Sequence, residues 1–130
     1  MAFKILVVDD EPNILRLMEF ILARQGHEIL SAINGEQALE TIRAKMPDLV
    51  LLDIMIPRID GYEVARILRA DPKTASLPII MLSAKAQEED IQRGHSLGVD
   101  EYITKPFSPD HLVHVVTGYL NRISQDSITI

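Results

Sequence analysis

The sequence predicts an α/β protein: a five-stranded parallel sheet with helices on both faces. Three observations predict it. Short apolar runs recur along the chain and are continuous rather than alternating, which suits strands covered on both sides. Segments of helical period separate those runs, and this βα alternation, five times over, implies right-handed crossovers and a parallel sheet. Polar or charged residues stand at the ends of the runs, where sheets of this kind bind ligands.

The first run is "KILVV" (4–8). After Pro12, apolar residues at Ile14, Leu17, Met18, Ile21 and Leu22 form one helical stripe that stops near Gly26. "EILSA" (28–32) is a weaker run and reads as an edge strand. Asn34 followed by Gln37 resembles a capping box, opening a helix with Ala38, Leu39 and Ile42 on one face and Pro47 beyond its end. "LVLLD" (49–53) is the third strand, and Asp60 with Glu63 repeats the box before Val64, Ile67 and Leu68. "IIML" (79–82) is the fourth. The helix after it, roughly 88–97, is the weakest: Ile91 and Leu97 are its main anchors, and Gly94 costs it about 1 kcal/mol relative to Ala. "YIT" (102–104) is a second edge strand. Ser108 as cap and Pro109 at the first position open the last helix, whose stripe is Leu112, Val115, Val116, Tyr119, Leu120 and Ile123.

The 130 residues suit one domain with a sizeable core, and no linker or repeat divides them. The net charge of −6 argues against direct, non-specific contact with nucleic acid or an anionic membrane. With no cysteine, neither a disulfide framework nor a thiolate metal site is available. No apolar run approaches the ~20 residues that span a bilayer. "MAFKILVVDD" ends its apolar run too early for a secretory signal, so a cytoplasmic location is expected.

The topology brings Asp9, Asp10, Asp53, Ser83 and Lys105, from four separate segments, to one edge of the sheet. Each alone has an ordinary reading: Asp10 or Glu11 as the cap of the helix begun at Pro12, Asp53 as a loop boundary, Ser83 as a turn hydroxyl, Lys105–Pro106 as a strand exit. Their shared placement outweighs those readings. Like-charged carboxylates ~5 Å apart at an effective dielectric of about 20 repel by about 3 kcal/mol per pair. A hard divalent cation relieves this, and Mg²⁺ favours a few carboxylates with water and phosphate oxygens. A cation, a lysine, a hydroxyl and a carboxylate nucleophile together suit phosphoryl transfer.

In "VVDDE", "LLDIMIPRIDGYE", "MLSAK" and "GVDEYITKPF", in that order, the chain resembles a receiver domain of the two-component response regulators, over residues 4 to about 122. Through "DEYITKPFSP" it resembles most the receivers of the winged-helix transcription regulators. The resemblance implies the flavodoxin-like strand order 2-1-3-4-5. It divides the chain into a receiver, 1–122, and a C-terminal tail or start of a linker, 123–130. It implies Asp53 as phosphoacceptor from a sensor histidine kinase or phosphotransfer protein. Asp9, Asp10, Asp53 and the Met55 carbonyl would hold Mg²⁺ or Mn²⁺. Lys105, Ser83 and Ala84 would bind the phosphoryl group, with a cis Lys105–Pro106 bond. Ser83 and Tyr102 would be the switch pair, and Gly61 would give the loop after Asp53 a flexible backbone. Output would pass through the face of the fourth helix, fifth strand and fifth helix to an effector domain or downstream protein.

Met55 and Lys85, two residues after Asp53 and Ser83, match positions that tune phosphoryl lifetime. Met55 has no polar group to orient a water, so slow self-dephosphorylation is expected. The last helix lacks the arginine of the winged-helix subfamily's dimer network, of which Arg93 and Asp100 could supply only parts, so a monomer is expected. His111 and His114 read as a solvated face rather than a metal pair, His27 and His95 as surface residues, and the five methionines as core filler. Two other functions are weighed. An aspartyl-nucleophile hydrolase would need a second acid where Met55 stands. A nucleotide or flavin binder would need a glycine-rich loop where "VVDDEPN" stands.

Overall fold

The computed structural model describes residues 2–84 and 88–128. Strands and helices alternate as β1 (Lys4–Val8), α1 (Pro12–Ala23), β2 (Glu28–Ala32), α2 (Gly35–Lys45), β3 (Leu49–Asp53), α3 (Gly61–Ala70), β4 (Ile79–Ser83), α4 (Glu88–Ser96), β5 (Glu101–Thr104) and α5 (Pro109–Ile128). All neighbours pair in parallel, in the order β2-β1-β3-β4-β5. The two weakest apolar runs, β2 and β5, are the edge strands. α5 runs on to Ile128, so residues 123–128 continue the helix.

Side chains alternate across the sheet with period two. Ile5, Val7, Leu49, Leu51, Ile80, Leu82 and Ile103 face α1 and α5, whose Leu15, Met18, Leu22, Leu112, Val116 and Leu120 complete one core. Leu6, Val8, Val50, Leu52, Ile79 and Met81 face α2 and α3 and form the other. β1, β3 and β4 lie in the middle of both and need no polar face, which is why their sequences are unbroken aliphatic runs.

The helix ends follow local chemistry. The Asn34 side chain accepts from Gln37 N at 2.8 Å, while Gln37 Oε1 accepts from Ile33 N, one residue earlier than a capping box requires. Asp60 accepts from Glu63 N at 2.9 Å, but the Glu63 carboxylate turns to Arg66 instead of completing the box. Ser108 accepts from His111 N at 3.1 Å and caps α5. α4 closes with Gly98 at φ +87, Gly98 N donating to His95 O and Val99 N to Gly94 O, a Schellman arrangement that requires the left-handed residue.

The ordinary reading of Asp10 or Glu11 as a side-chain cap, already outweighed, is absent from the structure: Glu11 is the cap residue of α1 by backbone alone, and its N–H goes to the Asp9 carboxylate at 2.9 Å. Two expectations are corrected. Met18 and Met81 are core residues, but Met46 and Met55 are exposed at chain turns. Met1 lies outside the described residues. His27 is half-buried rather than a surface residue, because its Nδ1 accepts from Phe3 N at 3.2 Å where β1 meets β2. His95, His111 and His114 are exposed.

Candidate functional site

Each central strand ends by lifting a polar residue out of the core at one edge of the sheet. β1 runs into Asp9, which is wholly buried, and Asp10, which is exposed. β3 ends in Asp53 and β4 in Ser83, both buried. β5 leads to Lys105, whose bond to Pro106 is cis. The parallel register sets these residues side by side: Asp53 pairs with Leu82 and Ser83 with Thr104.

The Lys105 ammonium donates to Asp9 Oδ2 at 2.7 Å and to Asp53 Oδ2 at 2.9 Å, joining β1, β3 and β5 in one contact. The remaining oxygens are also held: Asp9 Oδ1 accepts from Glu11 N, and Asp53 Oδ1 from Met55 N at 3.1 Å. Burial pushes the Asp9 carboxyl above the usual carboxylate range, against the opposing pull of the Lys105 and Glu11 hydrogen bonds. Burial also works against the Lys105 charge, but its two carboxylate partners outweigh that and hold the ammonium above the usual lysine range.

One lysine cannot neutralise three acids. One oxygen from each of Asp9, Asp10 and Asp53 lies within 4.8 Å of the others. These are hard oxygen donors, one of them solvent-facing, and the set fits Mg²⁺ or Mn²⁺ completed by water.

The loop after Asp53 is built by close packing. A Cβ on Gly61 would lie 2.7 Å from the Asp53 carbonyl oxygen and 2.8 Å from Ile54 Cα. Gly61 N donates to Ile54 O at 2.8 Å. Gly61 therefore serves close approach rather than flexibility; the left-handed residue of this loop is Arg58, at φ +71. Ile54 and Ile56 are buried, and Met55 between them is turned out to solvent, 79% exposed. Ala84 is exposed beside Ser83, and Lys85 lies outside the described residues.

Tyr102 is half-buried on the same face of the sheet as Met81 and packs toward α4, with its ring 5.9 Å from that of His95. Two further contacts could not be foreseen from local spacing. The Arg93 guanidinium of α4 lies 4.2 Å from the centre of the Tyr62 ring in α3. Arg69 ties α3 to the start of β5 through Gly98 O at 2.9 Å and Asp100 Oδ2 at 3.1 Å. Both pairs are remote in sequence, so no local spacing announces them.

The family model for "Response regulator receiver domain" matches residues 5–117. The alkaline phosphatase synthesis transcriptional regulatory protein PhoP of Bacillus subtilis (strain 168) is 44% identical over 92% of this chain and 49% of its own length. A probable transcriptional regulator, ycf27, of Pyropia yezoensis is 45% identical over 97% of this chain and 50% of its own. The chain spans about half the length of the curated relatives it matches. A putative response regulator from Chloroflexus aurantiacus J-10-fl superposes with a TM-score of 0.88 at 35% identity, covering 93% of this chain and 99% of that one. The receiver domain of sensor histidine kinase PA1611 from Pseudomonas aeruginosa PAO1, solved with a magnesium ion in its active-site cleft, has a TM-score of 0.85 at 28% identity, over 93% of this chain and 99% of its own.

Breaking the lysine contact leaves two buried acids without their cation. Lys105→Met is expected to lower the unfolding free energy by about 3 kcal/mol. Urea denaturation at pH 7.5 without divalent ions checks this, and adding Asp9→Asn should recover part of the loss.

Proposed function

Because the chain belongs to the response regulator receiver domain family, we propose that Asp53 is its phosphoacceptor and that Asp9, Asp10, Ser83, Ala84, Tyr102 and Lys105 complete the switch. The observation that carries this reading is the Lys105 ammonium within 2.9 Å of Asp53 at the open edge of an acidic cluster. Receivers pair with histidine kinases and effector domains and act as phosphorylation switches rather than as true enzymes.

An Asp53 carboxylate oxygen attacks phosphorus, and an acyl phosphate bond forms. The bond from phosphorus to the donor's imidazole nitrogen breaks, and the departing nitrogen keeps its electron pair. With acetyl phosphate as donor, the broken bond is phosphorus to oxygen and acetate departs. Lys105 moves its hydrogen bonds from the Asp53 carboxylate to phosphoryl oxygens and offsets their charge. Asp9, Asp10, Asp53 and the Met55 carbonyl would hold Mg²⁺ or Mn²⁺, which when bound would supply positive charge to offset that of the phosphoryl oxygens beside the acids. The Ser83 hydroxyl and Ala84 N–H then hydrogen-bond the phosphoryl group. Tyr102 follows Ser83 inward, and the surface of α4, β5 and α5 changes the partners it accepts.

The donor is a sensor histidine kinase or phosphotransfer protein, and the receiver works in the cytoplasm. The relatives, twice as long and named as transcriptional regulators, support an attached effector that makes any nucleic-acid contact. No helix among the described residues is long and apolar enough to cross a membrane.

Incubation with Mg²⁺ and acetyl phosphate tests the acceptor: one stable phosphoryl group per chain is expected by mass spectrometry, and none with Asp53→Asn. Repeated turnover would instead mean an aspartyl-nucleophile hydrolase, and no labelling at all would leave only a binder.

The exposed thioether of Met55 cannot orient a water toward phosphorus, so the phosphorylated form is expected to last minutes or longer at pH 7. Met55→Asn should shorten it several-fold; release of phosphate from the unaltered chain within seconds defeats this timing. Arg93 and Asp100 are both engaged within the chain, by Tyr62 and by Arg69 and Ile79 N. A monomer is therefore expected by sedimentation with beryllofluoride bound. A tight dimer lost on altering α5 would refute it.

A further inference from the structure

Gly94 has an ordinary helical backbone, so its glycine is not required by conformation. In a helix it is unfavourable relative to alanine, and its place in the chain needs another cause. Space supplies one. A Cβ built on Gly94 would lie 1.8 Å from the Tyr102 hydroxyl and 2.6 Å from Cζ, so the hydroxyl end of the ring fills the volume that a side chain would take.

The backbone at 94 is not free to retreat. Its carbonyl accepts from Leu97 N at 3.0 Å and from Val99 N at 2.9 Å, and Val99 is buried. Asp100, next in the chain, accepts from Ile79 N at 2.8 Å and pairs with Arg69. The neighbouring residue, Arg93, holds the other side of α4 against Tyr62. If a side chain is placed at 94, the ring of Tyr102 is therefore the part that yields.

We propose that Gly94 is the seat of Tyr102: the missing side chain on α4 receives the tyrosine hydroxyl and thereby sets the ring's resting orientation and the close approach of α4 to β5. Gly94 is a positioning residue. It touches neither phosphoryl group nor metal, and acts through Tyr102. The proposal rests on the switch described above and adds to it. Withdrawal of the ring empties a methyl-sized space on α4, which leaves that helix room to settle. A side chain at 94 excludes the resting orientation and shifts the chain toward its phosphorylated form. By thermodynamic reciprocity it then tightens binding of any ligand that favours that form.

The full chain labelled with 3-fluorotyrosine tests this, its three tyrosines being resolved by a Tyr102→Phe variant. In Gly94→Ala without any phosphoryl mimic, the Tyr102 fluorine resonance is expected to move while those of Tyr62 and Tyr119 stay. Beryllofluoride with Mg²⁺ should bind at least threefold tighter than to the unaltered chain. A Tyr102→Ala background controls for a merely structural effect: there Gly94→Ala should raise the folding equilibrium roughly fivefold, as an ordinary helical substitution does, whereas with Tyr102 present that gain disappears. An unmoved Tyr102 resonance, or the same stability change in both backgrounds, including failure to fold in both, overturns the proposal. If beryllofluoride does not bind the unaltered chain, the switch reading falls, and the resonance and stability comparisons still decide the seat.

Discussion

The contact on which the structure depends is that of the Lys105 ammonium with two carboxylates the fold has taken out of water. Asp9 and Asp53 come from adjacent strands and would repel strongly if left alone. Lys105, 96 residues from Asp9 in sequence, offsets that repulsion at 2.7 and 2.9 Å. The pairing holds three strands of the sheet together at the edge where the backbone ladders end. It also leaves a deficit of positive charge, since Asp10 has no share in it. A site with this imbalance gains most from a ligand bringing a divalent cation and a tetrahedral anion together. The repulsion that the acids build in is what a bound cation would relieve.

Around that site the molecule divides into firm and yielding parts. β1, β3 and β4 are buried on both faces, and α1, α3 and α5 present wide apolar stripes to them. Among its described residues α4 offers few such anchors. It is held by contacts of other kinds: a ring on a guanidinium, a hydroxyl against a glycine, and a Schellman closure into β5. Such contacts are specific in geometry but bury little apolar area, so they can be exchanged at small cost. Such holding suits the shift of α4 that the proposed switch calls for.

How much of this was legible in the sequence follows from the range of the interactions. β1, β3 and β4 were visible because a strand covered on both faces can be written only as an aliphatic run. Asp60 and Ser108 were visible as caps because their hydrogen bonds span three residues. Asp9, Asp53 and Lys105 were legible only together, through the rule that places strand ends at one edge. The start of α1 has no such side-chain cap: Glu11 caps by backbone alone, and its N–H goes to the buried Asp9 carboxylate. Composition could not separate Met18 from Met55, since one thioether fills a core and the other stands in solvent. Arg93 with Tyr62 and Gly94 with Tyr102 were invisible, because nothing in local spacing encodes which residue fills a gap left by another.

That last pair bears on how timing and response are divided in this fold. Met55 sits in the loop after β3, exposed to solvent, with its N–H donating to Asp53 Oδ1. Gly94 lies on α4, against Tyr102, with its backbone hydrogen-bonded into the start of β5. The two lie on different elements, one in the loop after β3 and one on α4. On the proposed reading, a change at the first would alter how long the phosphoryl group survives and leave the packing of α4 alone. A change at the second alters the equilibrium between the two orientations of Tyr102 without adding or removing a group that water can use. Effects at sites with no shared partner are expected to add. On that reading the duration of the signal and the readiness to adopt the signalling form are separately adjustable within one sheet, because the fold places one at a solvent-facing loop and the other in a helix-to-strand seam.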